Sequence, residues 1–310
     1  MIQHRLARAA ALVTITLLGL GCRDQVAAPP APAKAPAGGS AAAEVVAVTP
    51  FFYAATGPSG HTAYLLGTMH AGTAAADLPP WVWSRLRAAP TFAMETDLAG
   101  AVAEAGRLMR TDGGSLEADL GPTDWATLVR LVGEGPAAML RGFKPAAAGA
   151  QLQARGLPPT PPMDLELHDA AFAAGKRIAF LEAPGVQLDV LEQVLDLDAL
   201  REMLADPSAL ETDNRDLLAA YRTGSEAQVL AMLERARGRS KAAGHTDDEI
   251  ARDEALMLGN RNAAWVPVIT GLLAGGDVFV AVGALHLLGP GSVLEGLTKA
   301  GLTVRRVTGP

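Results

Sequence analysis

The 310-residue chain is poor in cysteine, with Cys22 alone, and poor in aromatic residues, which make up 5% of the sequence. A lone cysteine has no disulfide partner within the chain, so a disulfide framework is excluded. With aromatics scarce and alanine abundant, we expect a mostly helical core of Ala, Leu and Val side chains. The net charge of −7 comes without any basic tract, which argues against nucleic-acid binding.

Several catalytic signatures are also missing. The chain contains no G-x-S-x-G nucleophile elbow, no His-Glu-x-x-His helix and no phosphate-binding P-loop. The sequence therefore offers no sign of a serine hydrolase of that type, a helical zinc protease or a P-loop nucleotide hydrolase.

The chain also lacks an apolar run long enough to span a bilayer, and the apolar run near its N-terminus is short. Arg5 and Arg8 precede an uncharged run of 13 residues, Ala9 to Gly21, and Cys22 follows directly. A bilayer span takes roughly 20 apolar residues, so this pattern predicts a secretory signal and not a membrane span. "LGLGC" resembles a bacterial lipobox, although Gly19 stands where leucine is usual. We predict lipidation of Cys22; the alternative is an ordinary signal peptide with an incidental cysteine.

Composition divides the chain into three parts. Residues 1–22 form the predicted lipoprotein signal peptide, and residues 23–47 are rich in Ala, Pro and Gly. Such a segment buries too little apolar surface to fold, so we expect a disordered tether to a cell-envelope membrane. Residues 48–310 form the predicted folded domain.

The domain alternates strand-like and helical patterns. Apolar runs joined through "TGPSGH" predict a hairpin, and "TFAMETD", "KRIAFLE", "DVFVAVG" and "LTVRRV" predict further strands. Residues 184–273 are almost wholly helical in pattern. We therefore predict an α/β (α+β) fold: a central mixed sheet with flanking helices and a mostly helical insertion between its N- and C-terminal parts.

Two of the six histidines follow apolar runs with the same spacing. "YLLGTMH" places His70 three residues after Gly67, and "VFVAVGALH" places His286 three residues after Gly283. A glycine at a strand end allows a sharp turn and close approach of a ligand or backbone. If the strands are neighbours, the histidines meet at the carboxyl edge of the sheet. The alternative is that both histidines only hydrogen-bond their own loops.

A carboxylate is expected at the same edge. Glu95 and Asp97 end the strand pattern of "TFAMETD", and Asp97 lies better placed to cap the following helix. Two histidines and a carboxylate are a common transition-metal set. We predict His70, His286 and Glu95 as ligands of a divalent ion (Mn²⁺, Co²⁺ or Zn²⁺), with Glu95 alternatively the general base.

For several other polar residues the sequence alone favours a structural role. Arg261 in "GNRNAAW" suits a carboxylate clamp or an oxyanion contact, but such an arginine is more often structural. Asp164 and Glu166 start a helix, so we expect them to cap it. His168 and His245 stand among polar residues, and we expect both at the surface.

Five segments of the chain together resemble the TraB/GumN family, which includes the Tiki proteins. They are "YLLGTMH", "FAMETD", "MDLELHDAAFAAGKRIAFLEAPGVQL", "GNRN" and "VFVAVGALHLLG". The resemblance implies a fold like those of erythromycin esterases and the haem-binding ChaN-like proteins. Tiki-type members are metal-dependent proteases, so it implies a metal-dependent hydrolase acting on peptides. The family's site residues match His70, Glu95, Arg261 and His286. We predict that Arg261 binds substrate and stabilises an anionic intermediate. The competing interpretation is a non-catalytic module that binds a peptide, haem or another small ligand.

Overall fold

The computed structural model describes residues 48–310; the predicted signal peptide, tether and lipidation site Cys22 lie outside the described residues. One six-stranded sheet forms the centre, in the order β4-β3-β5-β2-β1-β6. The strands are β1 (Phe52–Thr56), β2 (Thr62–Thr68), β3 (Thr91–Met94), β4 (Arg177–Phe180), β5 (Val278–Gly283) and β6 (Thr303–Arg306).

Helices fill most of the remaining chain. They are α1 (Pro80–Ala88), α2 (Leu98–Glu104), α3 (Leu116–Val132), α4 (Glu134–Leu140), α5 (Pro145–Leu152), α6 (Met163–Ala173), α7 (Pro184–Val194), α8 (Leu197–Ala205), α9 (Pro207–Thr223), α10 (Glu226–Ala242), α11 (Asp247–Glu254), α12 (Asn260–Leu272) and α13 (Val293–Lys299). Many begin at side-chain caps, as Thr246 does with Glu249 in a capping box before α11. Proline occupies the first turn of α1, α5, α7 and α9, where its missing N–H costs nothing. A π-helical turn, Ala255–Gly259, joins α11 to α12.

Strand direction decides where the strand-end residues meet. β2, β5, β3 and β4 run parallel to one another, whereas β1 is antiparallel to both β2 and β6. In the β2–β5 pair Gly67 lies opposite Val282 and Thr68 opposite Gly283. The carboxyl ends of four parallel strands therefore share one edge, which is where α/β proteins bind ligands.

Two apolar clusters stabilise the fold. The larger covers the sheet and contains most of the fully buried aromatics, including Phe52, Phe92 and Phe279. The smaller is aliphatic apart from Trp125 and a peripheral phenylalanine, and it packs α3, α5, α7 and α8 together. The scarce aromatic residues are thus concentrated on the sheet, while the insertion packs mainly through leucine and alanine.

The predicted fold class is confirmed: a mixed sheet, flanking helices and helices between the sheet-forming parts. The hairpin is β1–β2, and the last strand-helix-strand unit is β5-α13-β6. Strand β3 ends earlier than "TFAMETD" suggested, at Met94, so Glu95 lies just beyond it. Among the described helices, none combines the length and the apolar character that crossing a bilayer requires.

One surface assignment is wrong. His245 is buried, with only 9% of its surface exposed, and its Nε2 lies 3.5 Å from Glu202 Oε1. The polar sequence around it forms the turn between α10 and α11, but the turn folds back so that the imidazole points inward. The polar residues next to His245 in the sequence did not predict its contact with Glu202, because Glu202 is distant in the sequence.

Candidate functional site

The predicted site residues converge on Gly283. A Cβ atom added to this glycine would lie 3.3 Å from Glu95 Oε1, 3.6 Å from His286 Cδ2 and 4.0 Å from His70 Nε2. These side chains follow β3, β5 and β2, whose carboxyl ends share the sheet edge. Glycine thus keeps open the space where the two histidines and the carboxylate meet.

Gly67, the glycine of the first Gly-x-x-His motif, has a packing role. A Cβ there would lie 2.9 Å from Ala284 Cα, closer than packed atoms tolerate. Its carbonyl accepts a hydrogen bond of 2.7 Å from the buried Tyr221 hydroxyl. The first motif glycine therefore lets β2 pack against the turn that carries His286, while the second leaves room within the site.

A carboxylate contacts His70 at Nδ1, the ring nitrogen opposite the one at the cavity. Its Nδ1 lies 2.7 Å from Asp164 Oδ2, and Asp164 Oδ1 accepts a 2.6 Å bond from the Thr68 hydroxyl. Oδ2 makes an ion-pair contact with the ring and no hydrogen bond of regular geometry among the described residues, so the carboxylate favours a proton on Nδ1 through its charge. His70 Nε2 is buried and has no hydrogen-bond partner among residues 48–310. Burial opposes the charged ring, but Asp164 and then Glu95 outweigh it and raise the pKa of His70.

Asp164 corrects an expectation from the sequence. Its side chain is buried, with 6% exposed, and contacts His70 and Thr68 instead of capping α6. Glu166 also reaches away from its helix and accepts a 2.8 Å bond from the Ala75 amide. Asp97 does cap α2, accepting a 3.0 Å bond from the Ala99 amide, as predicted.

Glu95 is a buried carboxylate with three protein donors. The Gly283 amide donates at 2.7 Å, Arg261 Nη2 at 2.7 Å and Gln187 Nε2 at 3.2 Å. Burial alone would raise the pKa of Glu95, but Arg261 and the two histidines lower it to about 2. The side chain is therefore ionised at neutral pH.

Arg261 is buried between two carboxylates, which the sequence did not predict. Nη2 donates to Glu95 at 2.7 Å and to Glu182 at 2.6 Å, while Nε donates to Glu182 at 3.0 Å. Nη1 has the longer contacts, 3.2 Å to His286 Nε2 and 3.4 Å to the Met257 carbonyl. All five N–H groups of the guanidinium thus have an acceptor within reach.

Glu182 lies at the end of β4 as Glu95 lies at the end of β3. It also accepts a 3.1 Å bond from Trp265 Nε1, and burial raises the pKa of Glu182 despite its contacts with Arg261. One guanidinium therefore faces two carboxylates whose pKa values move in opposite directions. The strand-end pattern that points to Glu95 also occurs in "RIAFLE", and it is the sequence signal that could have identified Glu182.

His286 is a neutral imidazole in a defined orientation. Its Nδ1 lies 2.6 Å from Asn262 Oδ1, and the Asn262 amide donates to the Gly291 carbonyl at 2.9 Å, which fixes which atom faces the ring. Nδ1 therefore carries the proton, and Nε2 accepts from Arg261. Burial is the main cause that lowers the pKa of His286 to about 3.

A small cavity of about 40 Å³ lies between the two histidines. It has room for one water molecule, which occupies about 30 Å³ in the liquid. Its lining also includes Leu157, Asn214 and Leu217. Within residues 48–310, no group of three or more His, Cys, Asp and Glu side chains is arranged to hold a metal ion. Arg261 gives a physical reason for the lack of such an arrangement, because its guanidinium contacts both Glu95 and His286 Nε2, two of the predicted ligands.

The sequence matches the TraB/PrgY/gumN family over residues 51–306, which covers the whole sheet and all the residues of the site. The chain therefore belongs to the TraB/PrgY/gumN family, as its motifs suggested. Comparison with curated proteins and with solved structures finds no match to either.

Proposed function

We propose that this protein is a metal-dependent hydrolase that cleaves peptides, using His70 and His286 as nitrogen ligands and Glu95 as a third ligand or as the base. One observation carries the proposal: both histidines line the same small cavity, and a side-chain oxygen lies within 2.7 Å of the Nδ1 atom of each. Histidines that ligate metals characteristically have the other ring nitrogen bound in this way.

The donor chemistry fits a divalent ion such as Mn²⁺, Co²⁺ or Zn²⁺. His70 Nε2 is a buried nitrogen without a partner among the described residues, and Glu95 Oε1 lies 3.8 Å from His286 Nε2. A carboxylate has about four lone-pair directions, and Glu95 uses three of them for protein donors. A bound ion would supply an acidified water as nucleophile near neutral pH.

The remaining side chains prepare this site. Asp164 favours a proton on His70 Nδ1, and Asn262 does the same for His286, so Nε2 is the nitrogen of each ring that would bind an ion. An ion would replace the second proton of His70, whose pKa is raised, and the Arg261 contact at His286 Nε2. Arg261 Nη1 has the longest contacts of the guanidinium and is the group most easily turned toward a substrate oxygen. Through it, Arg261 would bind substrate and stabilise an anionic intermediate.

The proposed location is the bacterial cell envelope. The apolar run before Cys22 supports a lipid anchor, and residues 23–47 would hold the domain away from the membrane surface. Peptide or protein substrates at that surface are the proposed partners.

The test is cleavage of a broad peptide library by protein lacking residues 1–22, with added Mn²⁺, Co²⁺ or Zn²⁺. We expect cleavage that chelation abolishes and that His70→Ala and His286→Ala each remove. Glu95→Gln separates its two roles. Loss of bound metal identifies a ligand, whereas retained metal with a rate lower by about 10²–10⁴-fold identifies the base. Cleavage that survives chelation and all three substitutions would refute the mechanism.

The second candidate function is a non-catalytic module that binds a peptide or small ligand in the same crevice. The observation in its favour is the guanidinium of Arg261, which occupies the approach to His286 Nε2 and Glu95. Metal content separates the candidates: a stoichiometric ion after gentle purification supports the hydrolase, and its absence together with ligand binding supports the module.

A further inference from the structure

A second, larger cavity lies beside the site. Its volume is about 530 Å³, within the range of about 300–1,000 Å³ typical of ligand pockets. Helices α10 and α11, the π-helical turn and the loop after His286 surround it. Its wall is mainly aliphatic and includes Leu230, Leu233, Ile250, Leu258, Leu285 and Leu288.

The wall also carries Arg237, Glu234, Asp253 and Glu254, and three of these four charged residues form one ion-pair cluster. Arg237 donates to both carboxylate oxygens of Glu254, at 2.7 Å and 2.9 Å, and to Glu234 at 3.3 Å. The buried His245 ring, whose Nε2 lies 3.5 Å from Glu202 Oε1, is a further polar group of the wall. A charged occupant would have to break these pairs, whereas a neutral apolar group would leave them in place.

The large cavity is connected to the site through shared residues. Leu285 lines both cavities, and only 7% of its surface is exposed. Asn262 lines the large cavity and holds His286 Nδ1 at 2.6 Å. The π-helical turn contributes Met257, whose carbonyl faces Arg261 Nη1. Residues of the large cavity's wall therefore also contact His286 and Arg261.

The two cavities differ in size, which suggests that they hold different parts of a substrate complex. The cavity between the histidines, about 40 Å³, has room for a water molecule but is far smaller than the cavity of about 530 Å³ beside it. A substrate residue next to the reacting bond needs a larger space nearby, and the aliphatic cavity across Leu285 provides it.

We propose that this cavity is the specificity pocket of the site and takes a large uncharged apolar side chain, such as leucine or phenylalanine, from a peptide. The inference rests on the proposed hydrolase for its substrate, but binding in the pocket is measurable without catalysis.

The test compares two tryptophan substitutions in the full-length protein as the cell processes it. Ala251 lines the pocket and is exposed at its edge, so Ala251→Trp fills the space without disturbing the core. Ala231 is exposed on α10 outside the pocket, and Ala231→Trp is the matched control. The probes are acetyl-leucinamide and acetyl-phenylalaninamide, with the acetylated amide of aspartate as the charged comparison, and binding is followed by ligand-observed NMR.

We expect both apolar probes to bind in preference to the charged one, and Ala251→Trp to weaken them by about tenfold or more. Ala231→Trp should bind as the unmodified protein does, and thermal melting verifies that both variants fold. Equal binding by Ala251→Trp, or no preference for apolar probes, would overturn the pocket assignment.

The two proposals fail separately. Metal-dependent cleavage with no preference for apolar residues near the cut bond would refute the pocket and leave the hydrolase intact. Probe binding that Ala251→Trp abolishes, with no peptide cleaved, would support the pocket and refute the hydrolase. His70→Ala should retain probe binding in either case, because His70 is not part of the large cavity.

Discussion

Replacing Asp164 with asparagine tests whether a carboxylate prepares His70 for metal binding. Asp164 Oδ2 lies 2.7 Å from His70 Nδ1, and Oδ1 is anchored by Thr68, so the carboxylate is fixed on both sides. Asparagine has nearly the same shape but loses the charge, and its NH₂ group can face the ring. Nδ1 would then lose its negatively charged partner, and the neutral ring could carry its proton on Nε2 instead, which would block that nitrogen as a ligand.

The expected magnitude follows from comparable outer partners of metal-bound histidines. Loss of such a partner weakens metal affinity by about 10–100-fold, which corresponds to about 1.4–2.8 kcal/mol. Calorimetric titration with Mn²⁺, Co²⁺ and Zn²⁺ measures this effect directly. In the metal-free protein, ¹⁵N NMR of the His70 ring should show the Nδ1 proton less populated in Asp164→Asn than in the unmodified protein.

The matched control is Glu166→Gln, on the same helix. Glu166 bonds the Ala75 amide and does not contact His70, so its substitution should leave both the metal affinity and the His70 spectrum unchanged. An unaltered ring spectrum and unaltered affinity in Asp164→Asn would refute the positioning role, provided that the variant melts as a folded protein.

Three further predictions concern packing, the buried ion network and the N-terminus. Gly67→Ala should lower the free energy of unfolding by about 1–3 kcal/mol in chemical denaturation, because its Cβ would lie 2.9 Å from Ala284 Cα; unchanged stability would show that the turn can move. Glu182→Ala should lower it by about 3–5 kcal/mol, because the buried Arg261 loses a bidentate partner; a loss below 1 kcal/mol would mean that the pair contributes little. Cys22→Ala should release the protein from the membrane fraction or leave it unprocessed, and normal processing with unchanged membrane partition would contradict lipidation.

The convergence of the strand-end residues followed from local pattern and topology. Gly67 and Gly283 each end an apolar run, and parallel strands place their carboxyl ends together, so His70 and His286 were expected at one edge. Glu95 was separable from Asp97 because only Asp97 was placed to cap the next helix. These inferences needed only spacing and the direction of the strands.

The partners of those residues were not predictable in this way. Asp164 looked like a helix cap because its contact with His70 depends on where α6 packs, which the local sequence does not encode. The orientation of Arg261 depends on Glu182, far away along the chain. Contacts between side chains on distant segments are set by tertiary packing, and they decide the protonation and exposure of the site.

Metal binding by the full-length protein tests the central claim most directly. We expect about one equivalent of Mn²⁺, Co²⁺ or Zn²⁺ to bind the unmodified protein, and His70→Ala and His286→Ala each to weaken this binding, because an incomplete ligand set remains. Ala231→Trp, on the exposed side of α10, should bind the ion normally. Failure of the unmodified protein to bind any of the three ions, or equal affinity in both histidine variants, would contradict the account.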